Sequence, residues 1–232
     1  MDTVLFLDGI KVTILTQYYC EIQTLVNQAL NDMAQQHRMG KLVNSPVSNN
    51  HYLVRWITKS LKQHTFSRVV NDDLIRWQKA GRSKGTAAAL PILFQRISSL
   101  YQSHFVCEKE ITDKQIEAFL DQLESLDWEV STSEPITGQG KVQLFTERPD
   151  SVALCATQCE SCFDGEVLVE PMSWFVRGNH RQFISLAWKA GLLVHKKTDY
   201  KSSVKYHGEY WIFPQNKGEF LAEIPDDFSV DS

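Results

Sequence analysis

No apolar run in this 232-residue sequence approaches the ~20 residues that a bilayer-crossing helix needs, so no membrane span is predicted. The amino terminus lacks the basic stretch of a secretory signal and carries Asp2 and Asp8 instead. Cysteine is scarce: there are five, an odd number, and without an export signal they predict reduced thiols or metal ligands, not disulfides. These features together predict a cytoplasmic protein. The chain also lacks the G-x₄-G-K-[ST] spacing of a nucleotide-hydrolysis loop and any nucleophile-elbow motif. His37, His51, His64 and His104 stand apart, with no H-x₃-H pairing. What is present is ordinary for a folded chain: 43% hydrophobic residues, 22% charged residues and a net charge of -4.

Read along the chain, Val4–Leu7 and Ile10–Ile14 flank Asp8-Gly9, a pair favoured in type I′ turns, and predict a β-hairpin. Tyr18, Ile22, Leu25, Val26, Ala29, Leu30 and Met33 recur at three and four, which predicts a helix over about 17–36. A polar loop is expected at 44–50. Helices follow over about 52–62, 67–79 and 86–105, the last with Pro91 in its first turn or at a kink. Thr112 and Gln115 have capping-box spacing ahead of Ile116, Phe119, Leu120 and Leu123, and Trp128-Glu129-Val130 leads out as a strand. Residues 131–140, rich in Ser, Thr, Pro and Gly, mark the expected domain boundary.

Beyond it the texture changes to short strands: 141–146, 151–153 and Glu166–Glu170. Asn179 and Gln182 form a second capping pair, opening a helix with Phe183, Ile184, Ala187 and Trp188 on one face and Gly191 at its end. Leu192–His195 and Val204–Phe213 then read as a hairpin joined by a polar loop. A capped helix, a glycine stop and a β-ribbon follow the order of a recognition helix and its wing. The expected fold class is therefore α+β: a mostly helical amino-terminal domain (1–130) opened by a hairpin, a winged helix-turn-helix domain (141–214) and an acidic tail (215–232).

The segments G-E-V-L-V-E-P-M-S-W-F, I-S-L-A-W-K-A-G-L-L-V and V-K-Y-H-G-E-Y-W-I-F resemble the carboxy-terminal winged-helix domains of conjugative relaxases of the TraI type and of plasmid and phage primase-helicases. The resemblance covers roughly residues 163–214 and rests on apolar pattern and Gly191. It implies a DNA-contacting module; the amino-terminal part shows no relaxase metal-binding histidine cluster and no helicase phosphate loop, so no nicking or unwinding activity is predicted. Charge points the same way independently. Residues 177–213 carry Arg177, Arg181, Lys189, Lys196, Lys197, Lys201 and Lys205 against Asp199 and Glu209, the footprint expected for phosphate contacts or of a solvated basic face. From Glu219 onward, five acids stand without a basic residue, able to compete for that face or to keep an end soluble.

Two further constellations carry candidate chemistry. Cys155, Cys159 and Cys162 have spacing that lets thiolates converge on zinc or an iron–sulfur cluster, with Cys107, His180 or His195 as a fourth ligand. If helical, they are instead a stripe of small buried residues. Gly81-Arg82-Ser83-Lys84-Gly85 before a helix offers Arg82 and Lys84 as phosphate contacts, or is an exposed connection. The sequence thus predicts a non-enzymatic DNA-binding accessory protein of a plasmid, mobile-element or defence system, with a protein partner for the amino-terminal domain. The alternatives are a winged-helix subunit of an SMC-like ATPase complex, or a metal-cluster protein or enzyme.

Overall fold

The computed structural model describes residues 9–102, 109–133, 136, 140–199 and 201–228. The fold is mixed α+β, with a helical amino-terminal region and a β/α carboxy-terminal region. The chain divides into two compact units, one holding residues up to Gln102 and the other Ser103–Phe228.

In the first unit, α1 spans Gly9–Arg38, α2 Pro46–Gln63, α3 Asn71–Lys84 and α4 Leu90–Gln102. Residues 4–7 of the expected hairpin lie outside the described residues, and Gly9–Ile14 are the first turns of α1. Extending a helix already formed adds one hydrogen bond per residue fixed, whereas an isolated two-stranded hairpin is marginal. The predicted loop at 44–50 is likewise largely helix. Ser45 caps α2 by accepting from the Ser48 amide, and Pro46, which has no amide to offer, sits in the first turn where none is needed. Tyr18, Ile22, Leu25, Val26 and Ala29 are buried as their spacing predicts, alongside Leu53, Ile57, Leu74, Trp77 and Phe94. The Tyr18 hydroxyl donates to the buried Asp73 carboxylate at 2.6 Å, tying α1 to α3. Gly81, read from sequence as part of a break, lies inside α3, where a Cβ would run into the Val54 side chain and fall 2.8 Å from Leu90. The glycine permits close helix packing there. Pro91 falls in the first turn of α4.

In the second unit, α5 spans Asp113–Ser125 and β1 Glu129–Ser133; β2 spans Ser151–Cys155, and α6 Ala156–Ser161. The two-residue strands β3 (Phe163–Asp164) and β4 (Val167–Leu168) form a small hairpin. Then come β5 (Met172–Arg177), α7 (His180–Lys189), β6 (Val194–Thr198) and β7 (Gly208–Ile212). Five strands make one sheet in the order β1-β2-β5-β7-β6, with β1 parallel to β2 and the other pairs antiparallel. On one face Ile116, Phe119, Leu123 and Trp128 pack with Val152, Trp174, Val176, Phe183, Ala187, Tyr210 and Ile212. The other face holds Ile136, Ala153, Cys155, Phe175 and Val204.

Three sequence expectations change here. The element directly ahead of α7 is the strand β5, where a helix-turn-helix requires a helix; α7 and the β6–β7 hairpin are built onto a five-stranded sheet. Residues 141–146 contribute only an isolated bridge, Val142 to Val204, and Glu166–Glu170 only the two residues of β4. The helix α5 and strand β1 share a core with β5 and α7, so the compact units part ahead of α5 instead of at 131–140. Among the described residues no helix is long and apolar enough to cross a membrane.

Candidate nucleic-acid interface

The helix α7 is positioned by local signals at both ends. Asn179 accepts from the Gln182 amide at 3.1 Å, and Gly191 adopts the left-handed conformation (φ +81°) that stops the helix. Ahead of the cap, Gly178 has φ +96°, and a Cβ there would lie 2.7 Å from the Pro149 carbonyl. Only glycine lets the chain turn from β5 into α7 at this spot. Phe183 and Ala187 are fully buried, with Ile184 packed against the same core. Helical periodicity then sends Arg181, Ser185 and Lys189 outward, four residues apart on one row.

That row is occupied by the chain itself. Arg181 Nε lies 3.4 Å from Asp226 Oδ2, and Lys189 Nζ lies 2.8 Å from Asp227 Oδ2. Ser185 Oγ donates to Asp227 Oδ1 at 2.8 Å, and the Trp188 ring meets Phe228 edge-on at 5.3 Å. The hydrogen bonds from Lys189 and Ser185 hold the Asp227 carboxyl below its usual range. Ser185, Asp226, Asp227 and Phe228 were not singled out as a site from the sequence. The acidic run was visible there, with competition for the basic face as one of its two readings, but not which residues meet.

The remaining basic residues do not all join this row. Arg177, exposed at the end of β5, donates to Thr146 Oγ1 at 2.7 Å. Lys196 and Lys197 are neighbours on β6 at a shift in its register with β7, and they rest on different rings. Lys196 Nζ reaches Asp199 at 2.7 Å and lies 5.6 Å from the Tyr210 ring centre; Lys197 Nζ lies over Trp211 (4.6 Å) and Phe220 (5.4 Å). Beside Lys196, Tyr210 and His180 share a 2.8 Å hydrogen bond. Burial and then the Lys196 charge push His180 down, and burial raises Tyr210 to about 12. Lys201 and Lys205 are exposed in the β6–β7 connection, next to Tyr206, which is 79% exposed with φ +64°.

Neither of the other two constellations assembles as anticipated. Arg82 and Lys84 belong to the last turn of α3, whose amides are committed to the helix, so the expected loop cradle is not formed; Arg82 Nη2 instead donates to Thr58 Oγ1 at 3.2 Å. Cys107 lies outside the described residues. Cys155 closes β2 and joins the core on one face of the sheet, whereas Cys159 and Cys162 pack into the core on the other. Among the described residues no group of three or more His, Cys, Asp or Glu side chains is placed to hold a metal ion. The three thiols are neighbours around the short helix α6 and pack into the core as small apolar side chains, and the metal-cluster alternative has no support. Of the other ligand candidates, His180 bonds Tyr210, and His195 Nδ1 lies 2.6 Å from the Phe220 carbonyl. Burial, then the neighbouring thiols and Asp113, raise the Cys159 thiol. In the native protein a thiol reagent is expected to modify the exposed Cys20 and to leave Cys155 and Cys162 untouched until unfolding. Peptide mapping after brief labelling checks this, and fast native modification of Cys155 would contradict its burial.

The described residues thus define a mixed α+β protein whose second unit carries a capped helix and hairpin on a five-stranded sheet. The sequence profile of the family described as "Protein of unknown function (DUF2913)" matches residues 17–225, and the chain belongs to that family. Comparison with curated proteins and with solved structures gives no match.

Proposed function

We propose that this protein is a DNA-binding accessory protein that contacts the phosphates of a duplex through the outer face of α7 and the β6–β7 connection, used as a recognition helix and wing. One observation carries the reading. Arg181, Ser185 and Lys189 form an outward row with no role in the core, and the groups resting on it are carboxylate oxygens, the protein's nearest equivalent of phosphate oxygens. Lys201, Lys205 and the exposed Tyr206 extend the surface at the hairpin connection with charge and an aromatic ring. Lys197 is left out of this surface because its ammonium packs over Trp211 and Phe220. A protein partner for the helical unit belongs to the same proposal. A groove of about 630 Å³ there is lined by Asp32, Tyr52, Arg55, Trp56 and Lys59 among others, a mixture of charge and aromatic surface suited to a polar partner.

Each phosphate contact releases counterions, so affinity falls with salt by about 0.9 logarithmic units per contact. In a fluorescence-anisotropy titration of a generic duplex, the wild-type chain is expected to bind at low salt with a steep salt dependence. The R181A/K189A variant is expected to bind more weakly on every sequence, with a slope flatter by roughly two units. Equal affinity and equal slope for the two proteins would remove α7 as the contact surface. The reading as an interaction subunit of an ATPase assembly would then take its place.

A further inference from the structure

We propose that Asp226, Asp227 and Phe228 form a built-in competitor for polyanions: a strap that occupies the basic row of α7 and must lift before a duplex can dock. The inference rests on the DNA-binding reading and adds its regulation.

The strap is held at defined points along its length. Upstream, the His195 imidazole bonds the Phe220 carbonyl, Ala222 is buried, and the Glu223 amide donates to Val194 O at 2.9 Å on the outer edge of β6. Pro225 is buried, and the Phe228 amide donates to the Pro225 carbonyl at 3.0 Å, closing a turn. That turn presents both carboxylates to α7 at once, while Phe228 lands on Trp188. Charge, hydrogen bonding and ring packing therefore all bring the segment to the same helical row that the proposed function gives to phosphate. An acidic run that served only solubility would need none of these contacts.

The strength of the lock follows from exposure. The side chains of Arg181 and Asp226 are 85% and 63% exposed, and those of Lys189 and Asp227 are 59% and 45% exposed. Pairs this wet are weak and screened by salt. The strap therefore tunes affinity without abolishing it: a duplex offering many phosphates displaces two carboxylates, whereas a small anion does not.

The experiment uses the full chain and a generic DNA duplex at low salt, read by fluorescence anisotropy. The D226N/D227N variant is expected to bind roughly fivefold tighter than wild type, as the loss of two exposed ion pairs implies. F228A, which changes no charge, is expected to bind about twofold tighter because only the Trp188 contact is lost. E117Q/D121N, which removes two exposed acids from α5, serves as the charge control and is expected to bind like wild type. If E117Q/D121N gains as much as D226N/D227N, the effect is net charge and the strap is overturned. If wild type binds but D226N/D227N and F228A show no gain, the strap is overturned and the DNA-binding reading stands. If no variant binds, both fall together.

Discussion

Replacing Phe183 with alanine is expected to destabilise the second unit by about 3–5 kcal/mol, the range for removing a large aromatic side chain from a core that cannot collapse around the gap. Phe183 is fully buried, and its ring meets four others. Phe119 lies at 5.9 Å, Trp128 at 6.1 Å, Trp174 at 6.2 Å and Tyr210, edge-on, at 5.4 Å. These partners come from α5, β5, β7 and the residue just ahead of β1, so one side chain joins the helix of the proposed interface to the sheet beneath it. Phe183→Leu keeps most of the volume and is expected to cost under about 1.5 kcal/mol. Urea unfolding followed by tryptophan fluorescence measures both. A Phe183→Ala loss below about 1 kcal/mol would mean the ring is not where the core is fastened.

Acidification is expected to weaken the same unit through His195. Its imidazole is buried against the rings of Phe213 and Phe220; Nδ1 bonds the Phe220 carbonyl, and Nε2 has no partner. Burial pushes its pKa down to about 4, opposed by that one hydrogen bond. The unfolded chain protonates near 6.5, so between about pH 6.5 and 4 it takes up a proton that the folded state refuses. Stability is therefore complete above pH 6.5 and falls as pH drops through this window, levelling off below 4. A shift of this size corresponds to roughly 3 kcal/mol. Folding free energy measured from pH 4 to 8 tests this, with His195→Gln expected to flatten the curve in that window whatever it costs at pH 8. An unchanged curve in the variant would assign the acid sensitivity elsewhere.

The parts of this fold legible in the sequence are those decided by local chemistry. Thr112 and Asn179 cap α5 and α7 as their spacing indicates, and Gly191 ends α7. The stripes from Tyr18 to Met33 and from Ile116 to Leu123 fall inward. The strand β5 was not legible. Met172–Val176 are buried on both faces, so the run M-S-W-F-V shows no alternation to distinguish a strand from other buried segments. Missing it turned a strand–helix unit into a helix-turn-helix. The interface was half legible. Every basic residue was visible, but their acidic partners stand some 40 residues further on for Arg181 and Lys189, a distance at which no local pattern reports pairing. The cysteines were ambiguous because one spacing serves both thiolate ligands and a buried helical stripe, and only their packing into the core decides between the two.

The sheet order also bears on how the chain is made. The inner strand β5 pairs on one side with β2, already synthesised, and on the other with β7, which follows the long β6 connection. At roughly 5–20 residues per second, a ribosome leaves the far edge of β5 open for several seconds. Throughout that interval Trp174 and Phe175 belong to an unpaired strand edge of the kind that templates association with other chains. Nascent chains whose emerged part ends between Arg177 and Gly208 should therefore be the species that chaperones hold and that aggregates capture, whereas chains emerged only to residue 102 have no part of this sheet to expose.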